Sequence, residues 1–595
     1  MPPYAAATTV RATIVATLVL GWSAGSQAEP PRRVAHERIT AMQVFVADSL
    51  TKVLREPEEG ESPLREGPAS IAACRNERES LQIVAVAGGR PCREVAVTAS
   101  DLQHEAGRAV IPAARISVNP VGYVQTNTPA YPVERVGWWP DPLLPPAPVD
   151  VDPGHRQPFW ITVHVPDSAA PGRYTGVVTV SADGVADQHV PLEVTVWDFS
   201  LAASPPLPSA MAIYPHALSR FYNEEPVSEE ILRRYWDMLF THRLSSDDLG
   251  SPLRQGMSAV MDGTEAEPFD YETFDQRLRY CFRRGLTAFQ MARLPGFLSD
   301  GPDLTEQQQE RIIAYLRDFA GHLAENGWLE RAFAMVWDEP RDQFAPQVLK
   351  ELQTIRRADP RIRTRLDGPV TGPLVDACQE EVDIWGLHML NIARGGPQAQ
   401  ANIDRWRQQN RVLWMYVACD VHHPYPNIFI DYPLLDCRVL PWLCWKHDIQ
   451  GFLYWSANYW GEENVAGERP EDKWPHRPWV AGNFVESGEG GRNEYNGDGH
   501  LIYPGPDGLP LSSIRLEALR DGMEDYEYIW LLERGLQTLE MTGSDPGLAA
   551  EARAYLESQP VATSFTEWCR EPETIQAARR QLAGLIVRVL QAGPF

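Results

Sequence analysis

Two adjacent acidic residues, Asp338 and Glu339, are the strongest candidates for chemistry in this sequence. They follow the short apolar run Ala332–Val336 and are flanked by Trp337 and Pro340. Carboxyl groups at the end of a buried strand are costly to desolvate without a purpose, and such groups often titrate in active sites. Asp-Glu-Pro also occurs in ordinary solvated loops, so the prediction depends on its context. We predict that Asp338 and Glu339 are catalytic.

Aromatic and neutral polar residues recur where other predicted strands end. Alone, each is more typical of core packing or of a structural hydrogen bond. Together, their rings are suited to stacking on the C–H faces of a sugar, while amide, hydroxyl and imidazole groups recognise sugar hydroxyls. We therefore predict a sugar pocket around the carboxylate pair. Its predicted substrate-binding residues are Tyr214, Trp337, His388, Tyr416, Trp455 and Asn458.

The chain after residue 208 alternates amphipathic helical segments with short apolar strands. This alternation predicts parallel βα units, and about eight of them fit a (β/α)8 TIM-type barrel, which carries its chemistry at the carboxyl ends of its strands. We assign residues 209–595 to this barrel, including a helical tail that begins near Arg515. An open doubly wound sheet is the alternative, but no Gly-rich phosphate loop follows a strand. Strands are predicted at 211–214, 288–292, 332–336, 363–367, 383–387, 412–417 and 451–455.

The region before the barrel has a different sequence pattern. Residues 36–200 contain short runs that alternate apolar and polar residues, separated by Gly, Pro and Asp. This pattern predicts an antiparallel β-sandwich. The Pro-rich stretch Pro140–Pro153 is predicted to be a long surface loop, and Leu201–Pro208 to be a stiff linker.

Composition excludes several classes of function. The formal net charge of −26, without a Lys/Arg-rich run, argues against a nucleic-acid partner. The eight cysteines are sparse for 595 residues, although Cys74 and Cys92 could form a disulfide. The cysteines lack zinc-type spacing, and the adjacent His422 and His423 have no acidic partner at helical spacing. We expect no metal and no cofactor.

The N-terminus has the pattern of a secretory signal peptide over residues 1–28. Arg11 precedes the apolar run Ala12–Trp22, and Ser26–Ala28 supplies small residues at a cleavage position. The run is too short to span a bilayer comfortably, and no later segment is long and apolar enough. We expect a secreted or periplasmic protein without membrane insertion. Its oligomeric state is left open.

Four segments carry a family resemblance: Ala73–Ser80, Val196–Phe199, Trp337–Pro340 and the charged run Ser513–Tyr528. Together they resemble glycoside hydrolase family 123, and more closely its relatives that carry domain of unknown function 4091. The resemblance implies a β-sandwich before a TIM barrel, and β-N-acetylgalactosaminidase activity with an adjacent Asp-Glu pair at Asp338 and Glu339. It also implies an oligosaccharide or glycoconjugate substrate.

Adjacency of the two acids suits substrate-assisted cleavage. In ordinary retaining hydrolysis two carboxyl groups flank the scissile bond about 5 Å apart, which neighbouring residues do not readily do. In the substrate-assisted route, Glu339 is the general acid/base. Asp338 orients the 2-acetamido group of the substrate and stabilises an oxazolinium-like intermediate.

Two alternatives remain open at this point. One is a retaining glycosidase whose protein nucleophile, Glu462 or Glu463, acts on glycosides that lack an acetamido group. The other is a secreted carbohydrate-binding protein without activity. The run Ser513–Tyr528 is more typical of a structural helix with internal ion pairs, but Arg515 or Glu517 could reach the site.

Overall fold

A computed structural model describes residues 42–57, 64–107, 109–262, 269, 271–294, 305–467, 469, 472–482, 484–488 and 491–592. These residues all belong to one compact unit. The predicted signal peptide and the predicted start of the first domain at residue 36 lie outside the described residues.

The N-terminal region is a sandwich of two β-sheets. The first sheet is antiparallel, with strand order β1-β3-β10-β7-β8, and the second has the order β2-β12-β11-β4-β9, with β5 and β6 attached. The predicted antiparallel sandwich is confirmed except for β2 and β12, which pair in parallel. The strands are β1 (Gln43–Asp48), β2 (Ala69–Arg75), β3 (Glu77–Val86), β4 (Cys92–Ala99), β5 (Leu102–His104), β6 (Val110–Ile111), β7 (Ile116–Gln125), β8 (Trp138–Leu143), β9 (Val149–Val151), β10 (Arg156–Val165), β11 (Gly172–Ala182) and β12 (Val185–Ser200).

The two sheets share one apolar core. Ile83 of β3 and Ile161 of β10 meet Val178 of β11 and Val194 of β12, and all four side chains are fully buried. Alternate residues of a strand face the same side, so the period-two pattern of the sequence directs one set of side chains into this core. A single residue, Asn76, joins β2 to β3 and so connects the two sheets; its φ of 60° lies in a region that Asn tolerates.

Two predictions for this domain are wrong. The predicted surface loop Pro140–Pro153 contains the end of β8 and all of β9, because Asp141 of β8 is buried in an ion pair with Arg515. The predicted pair Cys74 and Cys92 is not bonded. Their strands, β2 and β4, are separated in the sheet by β12 and β11, which is about 14 Å at the usual strand spacing and beyond disulfide reach.

The C-terminal region is built on a seven-stranded parallel sheet in the order β13-β19-β18-β17-β16-β15-β14. Every strand predicted from the sequence in this region has a counterpart here. The strands are β13 (Ser209–Met211), β14 (Phe289–Arg293), β15 (Ala332–Asp338), β16 (Arg363–Gly368), β17 (Ile384–His388), β18 (Val412–Val417) and β19 (Gly451–Tyr454).

A bridging segment, residues 244–248, spans the gap between the two edge strands. The Met211 amide donates to the Ser245 carbonyl at 3.0 Å, and the Gln290 amide donates to the Asp247 carbonyl at 2.9 Å. The sheet is therefore a nearly closed barrel. The predicted barrel is correct in its general form, but the described residues form seven regular strands rather than eight. The bridging segment makes too few ladder hydrogen bonds to count as a strand.

Helices connect and cover the barrel strands. Side chains cap two of them at the N-terminus: Ser228 caps α2, and Thr305 forms a capping box at α5. The helices are α1 (Pro215–Tyr222), α2 (Glu229–Thr241), α3 (Leu253–Asp262), α4 (Tyr271–Phe282), α5 (Glu306–Glu325), α6 (Ala345–Ala358), α7 (Pro373–Cys378), α8 (Met389–Arg394), α9 (Gly396–Gln408), α10 (Leu434–Lys446), α11 (Gly461–Val465), α12 (Ile514–Thr542), α13 (Pro546–Ser558) and α14 (Pro572–Ala592).

Two short hairpins precede the C-terminal helices: β20 (Phe484–Gly488) with β21 (Gly491–Tyr495), and β22 (Tyr503–Pro504) with β23 (Pro510–Leu511). Among the described residues, no helix combines the length and the apolar character that a bilayer crossing needs.

Helix α12 packs between the barrel and the sandwich, against α10, α14 and β3. Its buried charged side chains meet charged side chains of those elements in a network that we call the charged seam. The charged seam consists of Glu77, Glu79, His242, Arg243, Arg438, Glu517, Arg520, Asp521, Glu524, Asp525, Glu527 and Arg579.

Candidate active site

The predicted catalytic pair lies at the carboxyl end of β15, at the mouth of the barrel. Asp338 is the last residue of β15 and Glu339 follows it; both side chains are exposed. The parallel register sets Asp338 beside Asp367 of β16 and His388 of β17 beside Tyr416 of β18. Because all strands run in the same direction, these side chains gather at one end of the barrel.

The floor of this mouth is a buried ion pair. Arg365 and Asp367, both on β16, form a bidentate pair with N–O distances of 2.8 and 2.7 Å. The Arg365 guanidinium lies over the rings of Phe333 and Trp414, at 5.2 and 5.1 Å from their centroids. Gly386 makes room for this pair, since a Cβ atom there would lie 1.8 Å from the Asp367 carboxylate. A buried ion pair therefore lies on the strand next to the catalytic candidates, with Asp367 as the register partner of Asp338.

The backbone of Glu339 is strained. Its φ of 49° is left-handed, which is unfavourable for a residue with a side chain and more so before a proline. The Glu339 amide donates to the Asp367 carbonyl at 3.0 Å, and Gly368 lies against the Glu339 backbone. Backbone strain that surrounding contacts enforce is typical of functional positions. Here it turns the Glu339 side chain away from the line of the strand.

Asp338 is oriented by a basic residue of the neighbouring strand. Arg293, at the end of β14, donates to Asp338 Oδ2 at 3.2 Å. Although 51% of the Asp338 side chain is accessible, the crowded mouth limits hydration of the carboxyl group. This desolvation, followed by the charge on Asp367, raises the pKa of Asp338 to about 6 against the opposing effect of Arg293.

Glu339 is oriented by the opposite side of the mouth. The Tyr416 hydroxyl donates to Glu339 Oε1. Burial, and then the Glu339 carboxylate, raise the pKa of Tyr416 well above its ordinary value, so the phenol stays protonated as a donor. The His388 ring lies edge-on to Tyr416 with centroids 5.0 Å apart, and its Nε2 lies 2.9 Å from Asp420 Oδ1. The two neighbouring acids thus have separate supporting groups.

Two predicted substrate-binding residues form an aromatic wall. Trp455 follows β19 and Tyr214 follows β13; both are partly exposed, with ring centroids 6.5 Å apart. Asn458 lies behind them and is fully buried. Its side chain accepts from the Tyr214 amide at 2.7 Å and donates to the Tyr214 carbonyl at 3.2 Å. Asn458 therefore fixes the backbone of Tyr214, and the structure does not bring its side chain to the open mouth as the prediction expected.

Trp337 is also placed differently from its prediction. Adjacent residues of a strand point to opposite faces, so Trp337 turns away from the mouth that Asp338 faces. Its side chain is fully buried behind the strand and stacks on Phe344 at 5.4 Å. A substrate in the barrel mouth does not reach it.

Sequence reasoning missed four charged residues of the mouth: Arg293, Asp367, Asp420 and Asp498. The first three follow or end apolar strands, which is the signal that could have found them. Asp498 has no such signal, because it lies in the loop after β21. It is fully buried, accepts from the Trp455 indole and the Tyr454 hydroxyl at 3.1 Å each, and burial raises its pKa to about 7.

The remaining candidates have protein partners elsewhere. His422 lies 2.7 Å from the Cys419 carbonyl and His423 lies 2.8 Å from Asp436. No group of His, Cys, Asp and Glu in the described part of the chain has an arrangement that would hold a metal ion. Arg515 pairs with Asp141, and Glu517 belongs to the charged seam, so neither reaches the mouth.

Comparison with known structures gives the same architecture. The structure of a family 123 glycoside hydrolase from Clostridium perfringens, from a study of glycolipid glycan hydrolysis, is similar over 92% of this chain and 98% of that chain, with a TM-score of 0.65 and 15% identity. At this identity the likeness shows the fold alone.

Other glycoside hydrolase structures are more distant. A Bacteroides ovatus GH5 xyloglucanase has a TM-score of 0.28 at 10% identity, covering 81% of this chain and 100% of that chain. A family 39 glycoside hydrolase from Bacteroides cellulosilyticus has a TM-score of 0.29 at 11% identity, covering 70% and 77%. These scores are too low to carry an argument.

Sequence comparison identifies the family. No curated protein matches the chain significantly. However, the glycoside hydrolase 123 catalytic domain matches residues 301–532, and the glycoside hydrolase 123 N-terminal domain matches residues 55–182. The first match includes Asp338 and Glu339, together with Asp367, His388 and Tyr416 of the neighbouring strands. The two matches together span more than half of the chain, which therefore belongs to glycoside hydrolase family 123 and is a glycosidase with a carbohydrate substrate.

Proposed function

We propose that this glycosidase is a retaining β-N-acetylgalactosaminidase-like enzyme that uses the 2-acetamido group of its substrate as the nucleophile. The observation that carries the proposal is the accessible pair of adjacent acids with separate supporting groups. Arg293 holds Asp338 on one side of the mouth, and Tyr416 holds Glu339 on the other. Two neighbouring acids held in this way can meet one sugar ring from the same side.

In the proposed first step, Glu339 donates a proton to the glycosidic oxygen as the bond to the anomeric carbon breaks. The acetamido carbonyl oxygen attacks that carbon, and a cyclic oxazolinium-like intermediate forms. Ionised Asp338 accepts a hydrogen bond from the acetamido N–H and stabilises the positive charge. In the second step, Glu339 takes a proton from water, which opens the ring with net retention of configuration.

The neighbouring carboxylates favour this route over a protein nucleophile. Asp367 has both oxygens bound by Arg365. Glu462, the alternative nucleophile, lies on α11 in an ion pair with Arg220 of α1, and its side chain is 77% exposed. The hydrogen bond from Arg220 lowers the pKa of Glu462 below its ordinary value, so Glu462 is held as a paired surface carboxylate. No observation on the described residues favours a covalent glycosyl-enzyme through Glu462.

The walls of the mouth provide contacts for a sugar ring. Trp455 and Tyr214 present partly exposed rings suited to stacking on C–H faces. Tyr416 and His388 are buried; the Tyr416 hydroxyl orients Glu339, and His388 packs against Tyr416. We propose a glycoconjugate or oligosaccharide substrate, by similarity with the glycolipid glycans of the Clostridium perfringens study.

Purified protein should be assayed against chromogenic β-N-acetylgalactosaminide, β-N-acetylglucosaminide and β-galactoside. We expect hydrolysis of a 2-acetamido substrate, inhibition by the matching sugar thiazoline, and a first product with retained anomeric configuration by NMR. The β-galactoside is the matched control, because it lacks only the internal nucleophile. Hydrolysis of the β-galactoside with covalent trapping by a 2-deoxy-2-fluoro sugar would instead establish a protein nucleophile.

We also propose that the protein is exported to the periplasm or the medium. The proposal rests on the signal-like pattern of residues 1–28. Expression of the full chain in a bacterial host should give a mature protein that begins at Glu29, as measured by intact mass. A cytoplasmic product that retains residues 1–28 would contradict export.

A further inference from the structure

Trp455 is held in place by a segment that is remote in sequence. Its indole Nε1 donates to Asp498 Oδ2 at 3.1 Å. The backbone of Gly499 lies against the ring, where a Cβ atom would be 2.1 Å from the nearest ring atom. The Tyr454 hydroxyl donates to Asp498 and accepts from the Gly499 amide at 2.8 Å. The orientation of the Trp455 ring is therefore fixed by residues 498–499.

The same segment is anchored to the N-terminal sandwich. Asn496 is fully buried, and its side chain makes two hydrogen bonds with the backbone of Asn127: Oδ1 accepts from the amide at 3.1 Å, and Nδ2 donates to the carbonyl at 2.9 Å. The Asn496 amide donates to the Tyr131 hydroxyl at 3.3 Å. Both partners belong to the loop between β7 and β8 of the sandwich.

Tyr131 is itself rigidly held. Its hydroxyl donates to Asp431 Oδ1 at 2.7 Å, and Asn496 Nδ2 donates to Asp431 Oδ2 at 2.7 Å. The Tyr131 ring stacks on Phe429 with centroids 4.4 Å apart and an interplanar angle of 12°. Each polar group in this contact has a partner, so the sandwich loop and residues 496–499 form one ordered unit.

We infer that Asp498 is a positioning residue for the Trp455 stacking surface, and that the sandwich loop 127–131 contributes to substrate binding by holding the segment that contains Asp498. This inference rests on the proposed role of Trp455 in sugar binding. A stacking ring contributes more affinity when its plane is set in advance, because ordering a mobile ring upon binding costs conformational entropy. The N-terminal domain is thus a functional part of the active site.

A double-mutant cycle on KM tests the inference. We expect Asp498→Ala to raise KM about tenfold with a small change in kcat, which corresponds to about 1.4 kcal/mol of binding free energy. In a Trp455→Ala background, Asp498→Ala should have no further effect on KM. Asp498→Asn keeps an acceptor for the indole N–H and should restore KM to within about twofold of the native value.

Equal losses in both backgrounds, or an unchanged KM in Asp498→Ala, would overturn the inference. If Asp498→Ala does not fold, Tyr131→Phe is measured in its place, because this variant removes only the hydroxyl and keeps the ring stacked on Phe429. It should raise KM about threefold, less than the loss of the direct Asp498 contact. Glu134→Gln, an exposed change in the same loop, is the matched control and should leave KM unchanged. An unchanged KM in Tyr131→Phe would overturn the role of the sandwich loop.

The cycle uses whichever glycoside the native protein hydrolyses fastest. If that glycoside lacks an acetamido group, the proposed function fails, while the coupling between Asp498 and Trp455 is still measured on the new substrate. If an acetamido substrate is hydrolysed but the effects of Asp498→Ala and Trp455→Ala on KM are independent, the positioning role of Asp498 is excluded and the proposed function stands.

Discussion

Two regions of this protein bring acidic and basic side chains together in different ways, the barrel mouth and the charged seam. In the charged seam, Arg438 is fully buried and holds both oxygens of Asp525, at 2.8 and 3.0 Å. In the mouth, Asp338 has one basic partner at 3.2 Å and half of its side chain is accessible. The residue types are the same, but the pairing and the access to solvent differ.

Glu517 in the charged seam and Asp338 in the mouth differ in proton affinity. Burial opposes ionisation of Glu517, but Arg520 and His242 outweigh it and hold the pKa of Glu517 well below its usual range. In the mouth, desolvation and the Asp367 charge raise the pKa of Asp338 to about 6. Partners therefore keep Glu517 charged, whereas burial prevails at Glu524 of the same seam and raises its pKa to about 7. A carboxylate with incomplete partners remains available for chemistry near neutral pH.

The largest effect should come from removing the acid in the mouth. Glu339→Gln should lower kcat on a substrate with a poor leaving group by about a thousandfold, the size expected for a general acid, and should lower it less for a dinitrophenyl glycoside. The melting temperature should change by no more than about 2 °C. Glu330→Gln, at the opposite end of β15, is the control and should keep native kcat. Native kcat in Glu339→Gln would exclude Glu339 as the acid.

The charged seam should respond in the opposite way, with a loss of stability. Arg438→Met leaves Asp525 and Asp521 buried without their shared partner, and we expect the free energy of unfolding to fall by about 3–5 kcal/mol. Urea unfolding followed by circular dichroism measures this change. The exposed Arg361→Met is the control and should leave the unfolding midpoint in urea close to that of the native protein, because exposed ion pairs contribute little. An equally small change in Arg438→Met would show that the charged seam does not hold the domains.

The pH dependence of kcat/KM should report the ionisation of Asp338. Asp338 must be ionised to stabilise the intermediate, so kcat/KM should fall as the pH drops through about 6. Arg293 lowers the pKa of Asp338, and its removal in Arg293→Gln should move this acid limb to higher pH by about one unit. The pH profile of kcat/KM measures the shift, with Arg553→Gln as a remote control. A limb that stays in place or moves to lower pH would contradict this role.

The smallest effect on kcat/KM is expected at Glu462, the exposed residue of α11 that pairs with Arg220. Glu462→Gln removes an exposed ion pair with Arg220, and such pairs contribute little, so kcat/KM should change by less than about twofold. A loss of a hundredfold or more would instead identify Glu462 as a nucleophile and contradict the substrate-assisted route.

Much of the barrel could be predicted from local patterns. The strand predicted at 412–417 is β18 residue for residue, and the strand predicted at 332–336 lies within β15. Apolar runs, helical periodicity and capping residues are encoded within a few positions, so one sequence suffices to find them. Parallel strands present their carboxyl ends at one end of a barrel. The predicted strands therefore also place His388, Tyr416 and Trp455 at the same end as the two acids.

Contacts across the barrel could not be predicted in this way. Asp367 fits beside Arg365 because Gly386, on the next strand, has no side chain. Asp498 accepts a hydrogen bond from Trp455, which is 43 positions away in the sequence. The roles predicted for Trp337 and Asn458 were assigned from residue type. Their burial depends on strand pleat and on backbone partners, which residue type does not specify.

Local patterns in the chain specify the order of the elements, the sandwich before the barrel, and the acidic pair at a strand end, because each depends on residues that are neighbours along the chain. The pairing of charged groups, and their access to solvent, depends instead on how distant segments pack. Arg515 and Asp141, for example, are 374 positions apart and yet form a bidentate pair. Such partners are selected by the packing of two domains, and no local pattern records that packing.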